Sequence, residues 1–587
     1  MYCTRSTMQF FTKLVSLVLI LLLSLCPSTV FTQNDDLEGH SLQPPYSSYD
    51  GRTPYCTPSS PFSFPSTTTQ IQKIVINAGF FRQTVKPIGS RHSATGIICT
   101  DGTPLVMRNF QDKKLSSDGT ATFGSGVKLR DASAFLKRHG RAFIHLPGYD
   151  GLTLGGAVGT GAHGSSLVHP ASLSEQVVRM SIVDGLGIVR TISGEELNVF
   201  RIHLGMLGVL VEITFQTVEL FKIVVETGPE DDNILMDNDF VEMARKFDFF
   251  QAAWFPATKK VVINKGKFTN DVSLPGEARW VLFTETDEDS ALAERNLNDA
   301  LHKSRNIAGF NAIQENTMLS YYTKVIGRVP IFSEDNVSLP HPAVGYGHDI
   351  MAATCDICDW YYGDYSARGL DDSLGCPADK LPAIAARIRK LLTQIPAAIT
   401  RIQIRFHPAS TTLMSRAYGR DTVMLSLLGS ATIDGNDPIA GSGVYQSAMQ
   451  IFIAEYDCRP HWGKNGGYYH THEIIKKSVP PANWVRFVTA VHSYDPFAVF
   501  RNKFSLRFLG FSHEMDTDPR ISRCAVADYC ACLTDQDCGA DQVCAAQTSD
   551  GSMGQYKICC DVKIYENKPL LKYDPYNYTS ILEAIFY

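Results

Sequence analysis

The sequence contains no uninterrupted apolar run of about 18 residues, the length an ordinary membrane-spanning helix needs. Cationic charge is scarce: 54 Lys and Arg stand against 60 Asp and Glu, a net −6 over 587 residues, with no dense basic stripe. That removes the electrostatic footprint of a nucleic-acid binder and points to a small-molecule partner. No GxGxxG stands between the first strand and its following helix, which excludes the ordinary dinucleotide-binding unit at that place. The cysteine-dense block near the C-terminus has no CxxC pair and no histidine, so disulfides account for it better than zinc, and no metal is expected.

What is present describes a large globular chain. A hydrophobic fraction of 44% against 19% charged residues gives ample apolar material, and the length suits two or three domains. Residues 14–26 are an apolar run preceded by Arg5 and Lys13 and followed by Pro27, the charge-then-apolar order of a secretory signal; an uncleaved anchor is the rival reading. Sequons at Asn336 and Asn577 agree with passage through the secretory pathway. Seven of fifteen cysteines fall between Cys524 and Cys560, a density that an oxidising compartment converts into disulfides. The pairing stays open, and the seventh cysteine, Cys559 or Cys560, needs a partner elsewhere, such as Cys458.

Residues 1–33 therefore read as a signal peptide, and 34–65, rich in Pro, Ser, Thr and Gly, as a flexible leader. From about 66 to 222 helix-like runs (IQKIVINAGF, LRDASAFLKRHG) interleave with strand-like ones (TVKPIG, TPLVMRNF, TATFGSG, SIVDGLGIV, VLVEITF). Residues 223–520 mix runs such as VVINKGKF, WVLFTET and VMLSLLG with the helical ADKLPAIAARIRKLLTQI, predicting an α+β domain with a mostly antiparallel sheet. A cysteine-rich module (521–563) and a tail (564–587) follow. The fold class is thus α+β throughout.

Glycines gather at Gly155, Gly156, Gly159, Gly161 and Gly164, with a shorter turn at Gly89-Ser90-Arg91-His92-Ser93. Such runs let backbone N–H groups converge on an anion with no Cβ in the way; a plain surface loop is the alternative. The pair IGSRHS (88–93) and GGAVGTGAHGSS (155–166), followed by LGMLGVLVEITF (204–215), resembles the flavin-binding loops and closing strand of the vanillyl-alcohol-oxidase superfamily, whose two-loop FAD-binding domain is of the PCMH type. The resemblance implies FAD as cofactor, held by Gly89, Ser90, Arg91, Ser93, Gly155, Gly156, Gly159, Thr160, Gly161, His163, Gly164, Ser165, Val209 and Leu210. It also implies a covalent link through His92, which occupies the place of the family's flavin-bearing histidine; such a bond raises the flavin's potential.

In the second half, His461-Trp462-Gly463-Lys464 resembles the HWGK or HWAK motif of aldonolactone oxidases, and residues 484–504 resemble their W…F…DP…F.N ending. A cation at Lys464 suits the negative charge that builds near the flavin's N1 and C2 carbonyl as hydride arrives. RIQIRFHPAS (401–410) resembles the strand in which related sugar oxidases carry Glu-x-Arg. Arg405 keeps the arginine, and Gln403 replaces the glutamate with a group that cannot take a proton as a carboxylate does. The general base is left among His461, His407 and a water.

The cysteine tail, the secretory leader, CTDG (99–102) and GTGAHGSSL (159–167) are similar to plant-type L-gulonolactone oxidases. Oxidation of a sugar lactone to an ascorbate-type product, with oxygen reduced to peroxide, is what the resemblance implies. Another carbohydrate or polyol, a dehydrogenase shielded from oxygen near Leu146–Gly148, and an inactive secreted binding glycoprotein are the alternatives. Gln403, and His203 where the family carries a small polar residue, favour the last.

Overall fold

The computed structural model describes residues 45–47, 55–256, 258–280, 331–332, 342–353, 369–394, 401–430, 448–449, 452–453, 455–464, 472–512, 542–548 and 555–561. The signal segment, both sequons, the tail and most of WVLFTET lie outside them. Of the cysteine-rich module only a hairpin, Gln542–Thr548 with Gln555–Asp561, is described, so its disulfides are not.

Helix α1, Thr68–Phe81, begins with a capping box in which Thr67 and Gln70 satisfy each other's backbone donors, and ends at Arg82 in the left-handed region. Ile71, Val75 and Ala78 recur at helical spacing on its buried face. The chain then forms β1 (Val85–Ile88) and β2 (Thr103–Val106), which pair in parallel. Next come β3 (Lys113–Leu115), β4 (Thr120–Gly124), α2 (Leu129–Arg138), α3 (Leu154–Thr160), β5 (Val177–Val183), β6 (Val189–Ser193) and β7 (Val209–Gln216). Five of these strands make an antiparallel sheet in the order β3-β4-β7-β5-β6. Phe123, Phe143 and Phe215 meet beneath α2, whose Leu129, Ala132 and Leu136 are buried.

The second half is built on β8 (Lys222–Asp231), α4 (Asp239–Ala244), β9 (Phe249–Phe255), β10 (Lys260–Thr269), β11 (Ala343–Tyr346), β12 (Gly369–Pro377), α5 (Leu381–Gln394), β13 (Arg401–His407), β14 (Thr422–Ser430) and β15 (Arg459–Pro460). Among the described residues these strands form one antiparallel sheet in the order β11-β8-β10-β9-β13-β14-β12-β15. Along β13 the faces alternate: Ile402, Ile404 and Phe406 are buried, whereas Arg401, Gln403 and Arg405 are only half-buried. Phe406 packs on Phe250 of β9 and Phe240 of α4.

The chain then returns to its first half through α6 (His472–Ser478), α7 (Pro481–Tyr494) and α8 (Lys503–Leu509). Asp495 accepts the amides of Val499 and Phe500, Val85 N–H donates to the Val499 carbonyl, and Asn502 Nδ2 donates to the carbonyls of Gly96, Ile97 and Cys99. The DP…F.N ending is therefore a clamp on the segment that follows the His92 loop.

Two expectations change. Part of the stretch read as a loose leader is anchored: Cys56 is bonded to Cys99, and Tyr46 is buried with its hydroxyl donated to the Ile98 carbonyl. Cys458, offered as a partner for Cys559 or Cys560, is instead bonded to Cys376 of β12, because β15 runs beside β12 and brings the two together.

Candidate functional site

Three segments converge where the two sheets meet. The first is the turn after β1. Ser90 Oγ donates to the Gly151 carbonyl and accepts the Thr153 amide, and Arg91 is held at φ 51°. Thr153 fills the place a Cβ on Gly89 would take, so only glycine fits there. His92 lies 5.3 Å from the Tyr149 ring at a tilt of 32°. Burial first, and then the charge of Lys464, hold its imidazole down at about 3, so at neutral pH it is uncharged and carries a lone pair.

The second segment is the glycine-rich run, and it differs from the open loop of converging amides that the sequence suggests. Residues 154–160 are the helix α3, and the amides of Leu154, Gly155, Ala157, Gly161, Ala162 and Gly164 all bond within the protein. The glycines serve close approach instead. A Cβ on Gly155 would come 3.0 Å from Ser125, on Gly159 2.9 Å from His203 Nε2, on Gly161 2.8 Å from Ile202, and on Gly164 into the Leu146 carbonyl. Gly161, at φ 71°, ends the helix, and Thr160 Oγ1 folds back onto the Gly156 carbonyl.

Ser165 and Ser166 stitch this run to the second sheet. Ser165 Oγ donates to the Phe250 carbonyl and accepts the Phe406 amide at 2.9 Å, and Ser166 N–H reaches the Phe406 carbonyl at 3.0 Å. Ser165 is thus fully buried in a seam. That seam fixes β13, so the Arg405 guanidinium lies against Gly148, 3.1 Å from where a Cβ would be. Gln403 sits two residues away on the same face, opposite Ala253 and Ser426. Val209 and Leu210 open β7 as buried residues paired with Val183 and Ile182.

The third segment is His461–Lys464. Ala94 N–H donates to the Gly463 carbonyl, Thr95 Oγ1 donates to the Trp462 carbonyl, and Gly463 faces Ser93. Lys464 is thereby brought beside the His92 loop, near enough for its charge to act on both His92 and His163.

Neighbours set the histidine tautomers. His461 Nδ1 accepts the Gly463 amide at 3.0 Å, so its neutral ring carries hydrogen on Nε2 and offers no lone pair there. His407 is buried between the Pro408 carbonyl and Glu175, 3.5 Å from its Nε2. Neither geometry suits a general base. His163, expected among the residues that hold FAD, has Nδ1 on the Gly164 carbonyl at 2.9 Å, which leaves its Nε2 lone pair available. Its ring is 5.4 Å from that of His461, and burial, followed by Arg405, holds it uncharged with a pKa of about 3.

The residues fit a flavin dinucleotide. Ser125 Oγ is buried beside Gly155 with no hydrogen-bond partner among the described residues, Gly156 is exposed, and the charges of Arg405 and Lys464 both reach the neutral His163.

Residues 60–193 match the FAD binding domain family and residues 213–508 the D-arabinono-1,4-lactone oxidase family. The chain is 25% identical to an L-gulono-1,4-lactone dehydrogenase of Mycobacterium tuberculosis, over 80% of this chain and 100% of the relative. It is 25% identical to L-gulonolactone oxidase 5 of Arabidopsis thaliana (76% and 79% covered) and 23% to L-gulonolactone oxidase of Bos taurus (77% and 96%). Among solved structures it resembles in fold a cholesterol oxidase from B. sterolicum (TM-score 0.62, 16% identity, 80% and 97% covered) and a chitooligosaccharide oxidase (TM-score 0.54, 15%, 78% and 93%). The fold and the site define an FAD-dependent oxidoreductase with the two-loop architecture of the vanillyl-alcohol-oxidase superfamily. The chain belongs to the D-arabinono-1,4-lactone oxidase family.

Proposed function

We propose that this enzyme oxidises a carbinol carbon of an aldonolactone such as L-gulono-1,4-lactone, with oxygen as the acceptor, in a compartment of the secretory pathway. The observation that carries the reading is the double stitching of the site: Ser165 and Ser166 bind β13 and so place Arg405 and Gln403, while Ala94 and Thr95 bind the segment carrying Lys464. Arg405 is near enough to act on His163, and Lys464 on His92 and His163, in the FAD-binding loops. The names of the plant and bovine relatives support the substrate, and the bacterial relative, named a dehydrogenase, makes the acceptor the finer question.

FAD, when bound, supplies the hydride acceptor. Arg405 holds a lactone oxygen by charge-assisted hydrogen bonds, and Gln403 takes a hydroxyl as donor or acceptor. Lys464 would offset the negative charge that the cofactor gains as hydride arrives. His92, neutral at working pH, is the attachment point for the cofactor. His163 Nε2 carries a lone pair that is neither committed to the cofactor link, as His92 is, nor turned towards a carboxylate, as His407 Nε2 is towards Glu175, so it replaces His461 and His407 as the acceptor of the hydroxyl proton. We further read residues 66–222 as the FAD-binding domain, 223–520 as the substrate domain, and 1–33 as a cleaved signal.

The test is turnover of L-gulono-1,4-lactone, L-galactono-1,4-lactone, xylitol and hexoses by the purified protein, followed as peroxide formation and in parallel with an artificial electron acceptor. Lactone-selective peroxide formation is expected. Turnover with the artificial acceptor alone would make it a dehydrogenase, and activity confined to polyols or hexoses would overturn the substrate.

A further inference from the structure

Arg416 is buried, with 6% of its surface exposed, and its guanidinium carbon lies 3.7 Å from the centroid of the Trp462 ring. Its Nη1 donates to the Met414 carbonyl at 2.9 Å; its Nε and Nη2 meet no acceptor among the described residues. No carboxylate among the described residues answers its charge. Among the described residues the charged neighbour that acts on it is Arg459, a second cation, which donates to the carbonyls of Arg416 and Tyr418. Burial and Arg459 both work against the charged guanidinium, yet an arginine in a protein keeps its proton. An apolar chain of similar length would cover Trp462 without that cost.

The place of Trp462 indicates what the charge serves. Its Nε1 donates to the same Met414 carbonyl at 2.8 Å, so ring and guanidinium are locked together. Its own carbonyl accepts Thr95 Oγ1, the next residue binds Ala94, and Lys464 follows. The plate under Arg416 is therefore part of the segment that lies on the His92 loop.

We propose that Arg416 is a fixed, unneutralised cation of the flavin site, a positioning residue that acts across Trp462 to favour the negatively charged reduced cofactor and to hold His461–Lys464 on the His92 loop. The inference rests on the reading that this segment faces the flavin. When a carbinol carbon gives up hydride, two electrons and one proton pass to FAD and the hydroxyl proton leaves separately, so the cofactor gains one negative charge. A cation kept in a low-dielectric interior stabilises that charge without reorganising. The place of the guanidinium over an aromatic ring holds it with no carboxylate among the described residues beside it.

The test uses the purified holoprotein and needs no lactone. Sulfite, which adds to oxidised flavin to give an anionic adduct, is titrated against wild type, Arg416→Met and Arg416→Lys, and the two-electron midpoint potential is measured on the same samples. Arg416→Met is expected to weaken sulfite binding about tenfold and to lower the potential by about 30 mV, the same factor for a two-electron couple. Arg416→Lys, which keeps the charge, is expected to recover most of both. Wild-type sulfite affinity and potential in Arg416→Met would overturn the proposal, and so would a failure of Arg416→Lys to recover them, which marks stacking alone as the role. If Arg416→Met does not fold, Arg416→Gln replaces it with the same expected outcomes. Failure of lactone turnover in the wild type would leave these readings unaffected, so the two ideas fail separately.

Discussion

Three imidazoles of the site are set in different states by single neighbours. His92 is neutral because it is buried beside Lys464, His163 has its Nδ1 hydrogen tied to a carbonyl, and His461 has its Nδ1 lone pair tied to an amide. Replacing His92 with Ala should leave FAD bound but move the yellow colour from the acid-precipitated pellet to the supernatant; colour staying in the pellet would place the link elsewhere. Lys464→Met should retain the cofactor and lose about 10²- to 10³-fold in turnover, the usual effect of removing one preorganised partner of developing charge. Stopped-flow reduction of the flavin at saturating lactone checks it. These residues were legible in the sequence because short motifs carried them. The competence of His163 was not, because it depends on which ring nitrogen meets Gly164 and which nitrogen of His461 meets Gly463, and spacing says nothing of either.

Local pattern made many elements readable: α1, α2 and α5 lie where apolar residues recur at helical spacing, and β7, β10 and β14 where short apolar or β-branched runs stand. Helix α3 was not, because its Leu-Gly-Gly-Ala-Val-Gly-Thr sequence has poor helix propensity and forms a helix only through its neighbours: the Val127 and Ser125 carbonyls receive the Leu154 and Gly155 amides, and Ile202 and His203 press on its later turns. β9 is hidden for another reason: buried on both faces, FFQAAWF has neither alternation nor a β-branched residue to mark it as a strand. The disulfide between Cys376 and Cys458 joins β12 to the segment entering the His461–Lys464 motif across 82 residues, which no local pattern announces. Changing both cysteines to serine should cost about 2–5 kcal/mol of stability, visible as a lower denaturant midpoint. Asn502→Ala, which strips donors from the carbonyls of Gly96, Ile97 and Cys99, should cost about 1–3 kcal/mol and loosen the His92 loop, measurable as faster amide exchange there.

At the scale of the whole molecule the buried histidines make folding sensitive to acid. His92, His145 and His163 are held near 3 and His203 near 4, chiefly by burial, against an ordinary value of 6.5. Between those values the unfolded chain binds more protons than the folded one. Their contribution is therefore complete above about pH 6.5 and is lost as the pH falls towards 3. Asp495, pushed up to about 6 by burial, opposes this weakly, since it favours the folded state on protonation. The apparent melting temperature should fall steeply below pH 6.5, and a flat profile down to pH 4 would show that these rings are not sealed in. Ser165 and Ser166 bond Phe406, and Asn502 bonds the carbonyls of Gly96, Ile97 and Cys99, across hundreds of positions, contacts that no local pattern in the sequence announces. The most direct measurement is anaerobic mixing of the purified holoprotein with L-gulono-1,4-lactone while the flavin absorbance is watched, followed by admission of air. Bleaching by the lactone and rapid recovery with peroxide in air is the expected result; a flavin that stays oxidised under saturating lactone would contradict the assignment of this site to aldonolactone oxidation.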